Sequence, residues 1–328
     1  MTFDELCPKA LSKIIPLKKI CPDVISCRSQ GNNPFIRSDR ECCTITKTRY
    51  DKIFKLAANT FREPDINELK KIGSFPLPMV ISGTKTDQWM RIGNSVPPGL
   101  MRAVAANVRH HLFDGPPLVP YPKSMSYLDI LEATWQDHLK PKAENAPTVI
   151  STFAGGGGSS LGYSMAGFRE LLAVEIDNNA VETFRMNFPH VPVFHGDIGK
   201  LSVEGCMELA GITEPGEFDV LDGSPPCQGF STAGKRQMTD DRNQLFREYV
   251  RLLRGLQPKA FIVENVSGMV KGKMKIIFAE ILRELKGSGY EVKAWLLNAK
   301  YFYVPQSRER MIFIGVRKDF WQDKSKPC

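Results

Sequence analysis

Apolar and polar positions fall into a regular rhythm from Thr148 onward. Pro147-TVISTFAG reads as a buried strand running into a glycine-rich turn, and Leu161-GYSMAGF as the helix behind it. Glu170-LLAVEID is a second apolar run with an acidic end, followed by a helical segment, Asn179-AVETFRMNF. Val191-PVFHGDI, Phe218-DVLDGSPPC and Ala260-FIVENV give three more strands, and Gln244-LFREYVRLLRGLQ and Lys275-IIFAEILRELKGSG two more helices. Tyr290-EVKAWLLNA and Arg310-MIFIGVR read as a closing strand pair. Strands alternating with helices predict an α/β protein with a doubly wound, largely parallel sheet. Such sheets bind ligands at the carboxyl ends of their strands.

Upstream the rhythm weakens. Residues 114–147 are proline-rich at both ends and enclose one amphipathic helix, Tyr127-LDILEATWQDHL, which suits a surface connector. The first 75 residues lack clean periodicity and suggest short strands and irregular loops. Composition, with 42% apolar and 24% charged residues, is that of a globular protein. No apolar run reaches the roughly 18 residues of a membrane span, so no membrane partner is expected. The N-terminus shows no secretion signal, so a cytoplasmic setting is expected. The net charge of +8 is uneven: residues 1–120 hold 18 Lys/Arg against 11 Asp/Glu, or +7, leaving +1 for the rest. An excess so placed suits contact with a polyanion. The eight cysteines contain no C-x-x-C pair, so they are expected to be mostly small buried side chains, with no metal site.

The unusual residues cluster at strand ends. Phe153-AGGGGSSLG puts four glycines between a strand and a helix, letting backbone approach a ligand beside a helix N-terminus. No Gly-Lys-Ser/Thr follows, which excludes the nucleotide-phosphate loop. Glu175, ending the second strand, is placed to accept ribose hydroxyls, and Asp197, ending the third, to accept from an adenine amino group. These residues imply an adenosine-bearing cofactor, either NAD or S-adenosylmethionine.

Gly223-SPPCQGFS follows the fourth strand, and two prolines stiffen the backbone ahead of Cys227. A thiol presented at a ligand-binding sheet edge is a candidate nucleophile. Glu264-Asn-Val ends the fifth strand at the same edge, and Gln306-SRER supplies Arg308 and Arg310 before the last strand. FAGGGGSSLG, SPPCQGFS, ENV and QSRER, in that order, closely resemble the cytosine-C5 DNA methyltransferase family across residues 148–318. The resemblance implies a Rossmann-like, S-adenosylmethionine-dependent sheet acting on double-stranded DNA. Cys227 would add to cytosine C6, Glu264 would hydrogen-bond to or protonate N3, and Arg308 would orient the base carbonyl with Arg310 behind it. Because C6 is out of reach inside a duplex, the base would be flipped out. Phe153, Gly155, Gly157, Gly158, Leu161, Glu175, Ile176, Asp197, Ile198, Pro225 and Leu245 carry over to the cofactor site, with Phe153 and Ile176 sandwiching the adenine. The loop after Cys227, with Gly229 and Gly234 as hinges, would close on DNA through Gln228, Ser231, Lys235 and Arg236. The tRNA-modifying branch of the family varies the residues after Pro-Pro-Cys-Gln, whereas Cys227-QGFS follows the DNA pattern.

Three further blocks are out of the family's usual order. Gln88-WMRIGNSVPPGLMRAVAANV resembles its closing motif, normally C-terminal, and implies that Asn94, Ser95 and Val96 cap the cofactor's methionine end. Arg62 and Glu68 match the family's arginine–glutamate scaffold motif. Glu41-CCTITKT resembles the threonine-rich segment of the target-recognition region, with Cys42-Cys43 in place of serine-proline. Circular permutation explains this order. It divides the chain into a small, mostly irregular or β recognition region with the scaffold motif (1–75), the closing motif and its helix (76–113), a connector (114–147) and the catalytic domain (148–328). The stripe Leu100, Val104, Val108 on the closing helix would need a partner on the sheet. A monomeric bacterial enzyme of a restriction–modification system is the expectation.

Overall fold

A computed structural model describes residues 2–29, 36–37, 39–46, 52–56, 60–226, 241–270 and 274–325. The chain first builds strands β1 (Val24–Ser29), β2 (Ile36–Arg37), β3 (Lys52–Leu56) and β4 (Phe61–Arg62). They form an antiparallel sheet in the order β2-β1-β3-β4. Helices α1 (Ile66–Ile72), α2 (Lys85–Asn94), α3 (Pro98–Leu112) and α4 (Tyr127–Leu139) follow. The alternating part then runs β5 (Thr148–Thr152), α5 (Gly158–Met165), β6 (Arg169–Glu175), α6 (Asn178–Asn187), β7 (Val193–His195), α7 (Val203–Ala210) and β8 (Val220–Gly223). It ends with α8 (Asp241–Leu256), β9 (Ala260–Val266), α9 (Met274–Gly287), β10 (Tyr290–Asn298), β11 (Glu309–Arg317) and α10 (Lys318–Ser325).

The second sheet has the order β10-β11-β9-β8-β5-β6-β7 among the described residues. Its strands β9, β8, β5, β6 and β7 are parallel, and β11 runs antiparallel to both β9 and β10. From β5 the chain winds out through β6 to β7, then crosses back to β8 on β5's other side. The order reverses between β5 and β8, and a crevice opens at the carboxyl ends of such a pair. The glycine-rich turn leaves β5 there, and the Pro225-Pro226 turn leaves β8.

Period-two alternation sends each strand's apolar residues to opposite faces. Ile150, Leu221, Phe261, Val263 and Phe313 meet Tyr249, Leu252 and Leu253 of α8 and Ile277, Ile281 and Leu285 of α9. Val149, Val220, Ala260, Ile262, Ile312 and Ile314 meet α3 through Leu100, Met101, Val104 and Val108. The apolar stripe of α3 is thus wholly buried on the sheet and beside α5. The approach is close: a Cβ on Gly162 would lie 2.6 Å from Met101 Cβ and 2.8 Å from the Arg102 nitrogen.

A third core joins the two sheets. Val24, Cys27 and Phe54 of the small sheet pack with Leu69, Ile72, Trp89 and Ile92, and onward with Leu161, Met165, Phe184 and Phe188. The short strands expected in the first 75 residues are present as β1–β4, joined in one sheet, and the helix over 66–72 is the addition to that reading. That helix starts at a reciprocal cap, in which Asp65 accepts from the Glu68 nitrogen at 2.7 Å and Glu68 from the Asp65 nitrogen at 2.8 Å. The connector helix α4 lies on the surface with one face inward: Tyr127, Ile130, Leu131 and Thr134 are buried, and Tyr127 Oη donates to the Lys71 carbonyl.

Candidate active site

The turn after β5 needs left-handed backbone at Phe153 (φ 54°), Gly155 (φ 55°) and Gly157 (φ 87°). Glycine adopts this without cost, but an aromatic residue there is strained, a feature common at ligand sites. Glu175 organises the turn from the end of β6. One carboxylate oxygen accepts from the Gly155 nitrogen at 2.7 Å, the other from Ile176 and Asp177 nitrogens at 2.8 and 2.9 Å. Three backbone donors fix its orientation and leave lone-pair capacity for hydroxyl donors. Asp197 accepts from the Gly199 nitrogen at 2.9 Å and so caps the short turn beginning at Ile198. Phe153 and Leu245 are half-buried against the same core, whereas Ile176 is 64% exposed and Leu161 fully buried.

The segment from α2 to α3 completes this rim. Gly158 sits so close to it that a Cβ would lie 2.6 Å from the Val96 carbonyl and 3.0 Å from Ser95 Cβ. Ser95 Oγ donates to the Arg91 carbonyl at 2.7 Å, and Asn94 is exposed at the helix end. Arg91 is a residue that the sequence reading missed. Its Nη1 pairs with Asp177 at 2.9 Å, while its Nε and Nη2 are buried without a hydrogen-bond partner. Buried donors of this kind are costly unless a ligand accepts from them.

At the other side of the crevice, Glu264 is buried near the end of β9 and forms an ion pair with Arg310 of β11. Arg310 lies opposite Val266 and Glu264 opposite Ile312, so the pair is a diagonal one. Asn265 donates to the Pro225 carbonyl at 3.2 Å, tying β9 to the turn after β8. Cys227 and the loop residues Gln228, Ser231, Lys235 and Arg236 lie outside the described residues.

Arg308 is used differently from the expectation. Its Nη1 donates to the Ile45 carbonyl at 2.8 Å, and its Nη2 to the Gly93 and Ser95 carbonyls at 2.9 and 3.0 Å. Burial, reinforced by the nearby Arg310 charge, lowers its pKa to about 9. The guanidinium is therefore spent on holding three N-terminal carbonyls, and Arg310 is the arginine beside the acid. Arg308 precedes β11, so strand alternation does not set its direction.

Beneath the glycine turn lies a buried acidic pair that also escaped the sequence reading. Tyr163 Oη donates to Asp222 at 3.1 Å, and burial raises Asp222 to about 7. The Glu170 carboxylate oxygens are buried as well, and desolvation raises that group to about 8. Both lie near enough to interact, since the Asp222 charge adds to the shift at Glu170.

Known proteins resemble the chain over about half its length. Over 175 residues the chain is 45% identical to the Type II methyltransferase M1.HphI of Haemophilus parahaemolyticus, covering 52% of this chain and 46% of that protein. It is 42% identical over 178 residues to the Type II methyltransferase M.AquIA of Picosynechococcus sp., covering 52% of this chain and 71% of the relative. For M.NgoPII of Neisseria gonorrhoeae the figures are 40% over 180 residues, 55% and 50%. The chain thus spans about half the length of M1.HphI and M.NgoPII. Residues 147–327 match the family model of the C-5 cytosine-specific DNA methylases, which is more than half of the chain, and the protein belongs to that family.

Proposed function

We propose that the chain is a DNA (cytosine-5-)-methyltransferase that uses S-adenosylmethionine on a cytosine flipped from duplex DNA. The observation that carries this reading is the meeting, at one sheet edge, of the Glu264–Arg310 pair with the Pro225 turn that leads to Cys227. The cofactor fits the opposite rim. Glu175 is oriented for ribose hydroxyls, the glycine turn admits close approach, and the orphaned Nε and Nη2 of Arg91 suit a carboxylate. Asn94, Ser95, Val96, Phe153, Gly155, Gly157, Gly158, Leu161, Ile176, Asp197, Ile198, Pro225 and Leu245 form the rest of the assigned cofactor set. When bound, S-adenosylmethionine supplies an electrophilic methyl group on its sulfonium sulfur.

Cytosine C5 is a weak nucleophile until C6 is substituted. The Cys227 thiolate adds to C6, and Glu264 holds or protonates N3, which takes up the charge that the addition creates. Arg310, paired with Glu264, faces the base carbonyl, and Arg308 holds the closing segment in place. Loss of the C5 proton and β-elimination of the thiolate restore Cys227 and the C5–C6 double bond. Gln228, Ser231, Lys235 and Arg236 are assigned to DNA.

Circular permutation accounts for the position of residues 1–113. Its support is the Arg308 contact to Gly93 and Ser95, the packing of α3 on α5, and the hydrogen bonds of Val80 and Ser82 to Asn187 and Thr183. All assigned groups come from one chain, so a monomer suffices. The Type II relatives favour a role beside a restriction enzyme in a bacterial cytoplasm. Among the described residues no helix is long and apolar enough to cross a membrane.

Duplex DNA carrying 5-fluorocytosine at the target tests the reading, because its C5 substituent cannot leave as a proton. Wild-type protein should form a covalent adduct mapped to Cys227, and Cys227→Ser none, with cofactor binding kept. An adduct that persists in the variant, or maps to Cys206, refutes the assignment. Bisulfite sequencing of a plasmid from expressing cells then gives the methylated sequence.

A further inference from the structure

Three cysteines converge where the small sheet meets the large one. Cys27 lies on β1, opposite Phe54 of β3, and is fully buried. Cys42 is also fully buried and bridges to Gln306: its nitrogen donates to the Pro305 carbonyl at 2.9 Å, and its carbonyl accepts from the Ser307 nitrogen at 2.8 Å. Cys43 follows, half-buried. Their sulfur atoms all lie within 4.8 Å of one another, and the Cys27 and Cys42 sulfurs are 3.8 Å apart.

We propose that Cys27, Cys42 and Cys43 form a three-thiolate site for a thiophilic d¹⁰ metal ion, zinc(II) or copper(I), which fastens the small sheet to the segment ahead of Arg308. The distances suit this chemistry. A zinc–thiolate bond of about 2.3 Å in a tetrahedral site sets neighbouring sulfurs about 3.8 Å apart. Soft thiolate ligands select zinc and copper(I) over harder cations. Hydrogen bonds with Cys27 and Cys43, together with burial, push the Cys42 thiol well above its ordinary range. A cation reverses that balance: the three S–H bonds break, the protons leave to solvent, and three metal–sulfur bonds form. The half-exposed Cys43 side supplies the route of entry and, for zinc, room for a fourth ligand such as water. Spacing alone does not single out these three cysteines, because no C-x-x-C pair joins them and Cys27 lies 15 residues before Cys42.

The site is independent of methylation, and its test needs no activity. Full-length protein is stripped with chelator under reducing conditions, then loaded with zinc(II) in one arm and, anaerobically, copper(I) in the other. We expect one ion per chain by elemental mass spectrometry after desalting, and protection of three thiols from a thiol reagent. Cadmium(II) should give sulfur-to-metal charge-transfer absorption in the near ultraviolet. Cys43→Ser should weaken binding at least about tenfold with its circular dichroism unchanged, whereas Cys206→Ser should bind as wild type. Tighter retention in one arm identifies the ion. Substoichiometric metal in both arms overturns the proposal. So does unweakened binding by a folded Cys43→Ser variant, or a Cys27–Cys42 disulfide in protein kept anaerobic. Should Cys43→Ser fail to fold, the wild-type stoichiometry and thiol protection decide.

Discussion

The two sheets are held together by different means. The large sheet is a three-layer α/β structure in which successive apolar side chains of β5, β8, β9 and β11 enter one or the other of two apolar cores. The small sheet shares a core with α1, α2, α5 and α6 that ties it to the large one, and polar contacts supplement that joint. Ile45 nitrogen donates to Gln306 Oε1 at 3.0 Å, Thr44 Oγ1 donates to the Ser307 carbonyl, and Arg308 holds Ile45, Gly93 and Ser95. Arg62 clasps Glu68 with both terminal nitrogens at 2.7 Å and also pairs with Asp23. Apolar burial holds both the large sheet and the N-terminal part docked on it, and directional hydrogen bonds add register to that second joint.

The severest way to break the comparison is to cut the chain. Protein starting near Ala146 keeps Glu264, Arg310 and Cys227 but bares the face that α3 covers, and it should lose all cofactor binding and methylation. Residues 1–115 supplied as a second chain should restore part of both. Full activity of the truncated chain would remove the case for permutation. A smaller effect is expected inside the large sheet, where Glu264→Gln keeps the shape but removes the charge. Single-turnover methylation should fall by on the order of 10²–10⁴, the range for a positioned acid–base group, with thermal stability little changed.

The two arginines give the sharpest contrast. Arg308→Met strands three buried carbonyls and should cost about 3 kcal/mol or more of stability, at about 1–3 kcal/mol for each unsatisfied group. Arg310→Met leaves the buried Glu264 without its cation, so it should cost some stability and also lower turnover of the folded enzyme by more than Arg308→Met does. Denaturant unfolding beside methylation kinetics reads both, and equal turnover by the two folded variants would erase the distinction. The smallest effect concerns pH. Glu170 keeps its proton up to about 8 in the folded state, whereas the unfolded chain releases it near 4.5. Its contribution to stability is therefore full below about 4.5 and is lost as pH rises to about 8. Glu170→Gln should flatten that decline and raise the melting temperature at pH 8.5 by several degrees. Parallel melting curves for the two proteins across this range would count against a buried neutral acid.

The strands of the large sheet were legible because burial on both faces writes continuous apolar runs bounded by glycine and proline. The small sheet was not, since β1 carries a register shift between Val24 and Ser26 that breaks its alternation. The helix over 66–72 could have been found from its Asp65–Glu68 capping signature. Glu170 reads as a solvated residue at a strand start, and only the placement of α5 above it buries its carboxylate. The roles of Arg308 and Arg310 were indistinguishable by spacing, because Arg308 lies ahead of β11 and is aimed by the Ile45, Gly93 and Ser95 carbonyls that come from distant segments. The register of β11 against β9 sets only Arg310, diagonal to Glu264.

The packing of α3 also bears on synthesis. Its stripe leaves the ribosome first, but it is covered by strands that end with β11, whose Ile312 comes 200 residues after Leu112. At about 5–20 residues per second, Leu100, Val104 and Val108 wait roughly 10–40 s for their partner surface. During that interval β5 and α5, made soon after the helix, can cover only part of the stripe, and the remainder stays exposed on the nascent chain. The last strand made completes the platform for the helix made early, so full burial of α3 awaits the end of synthesis.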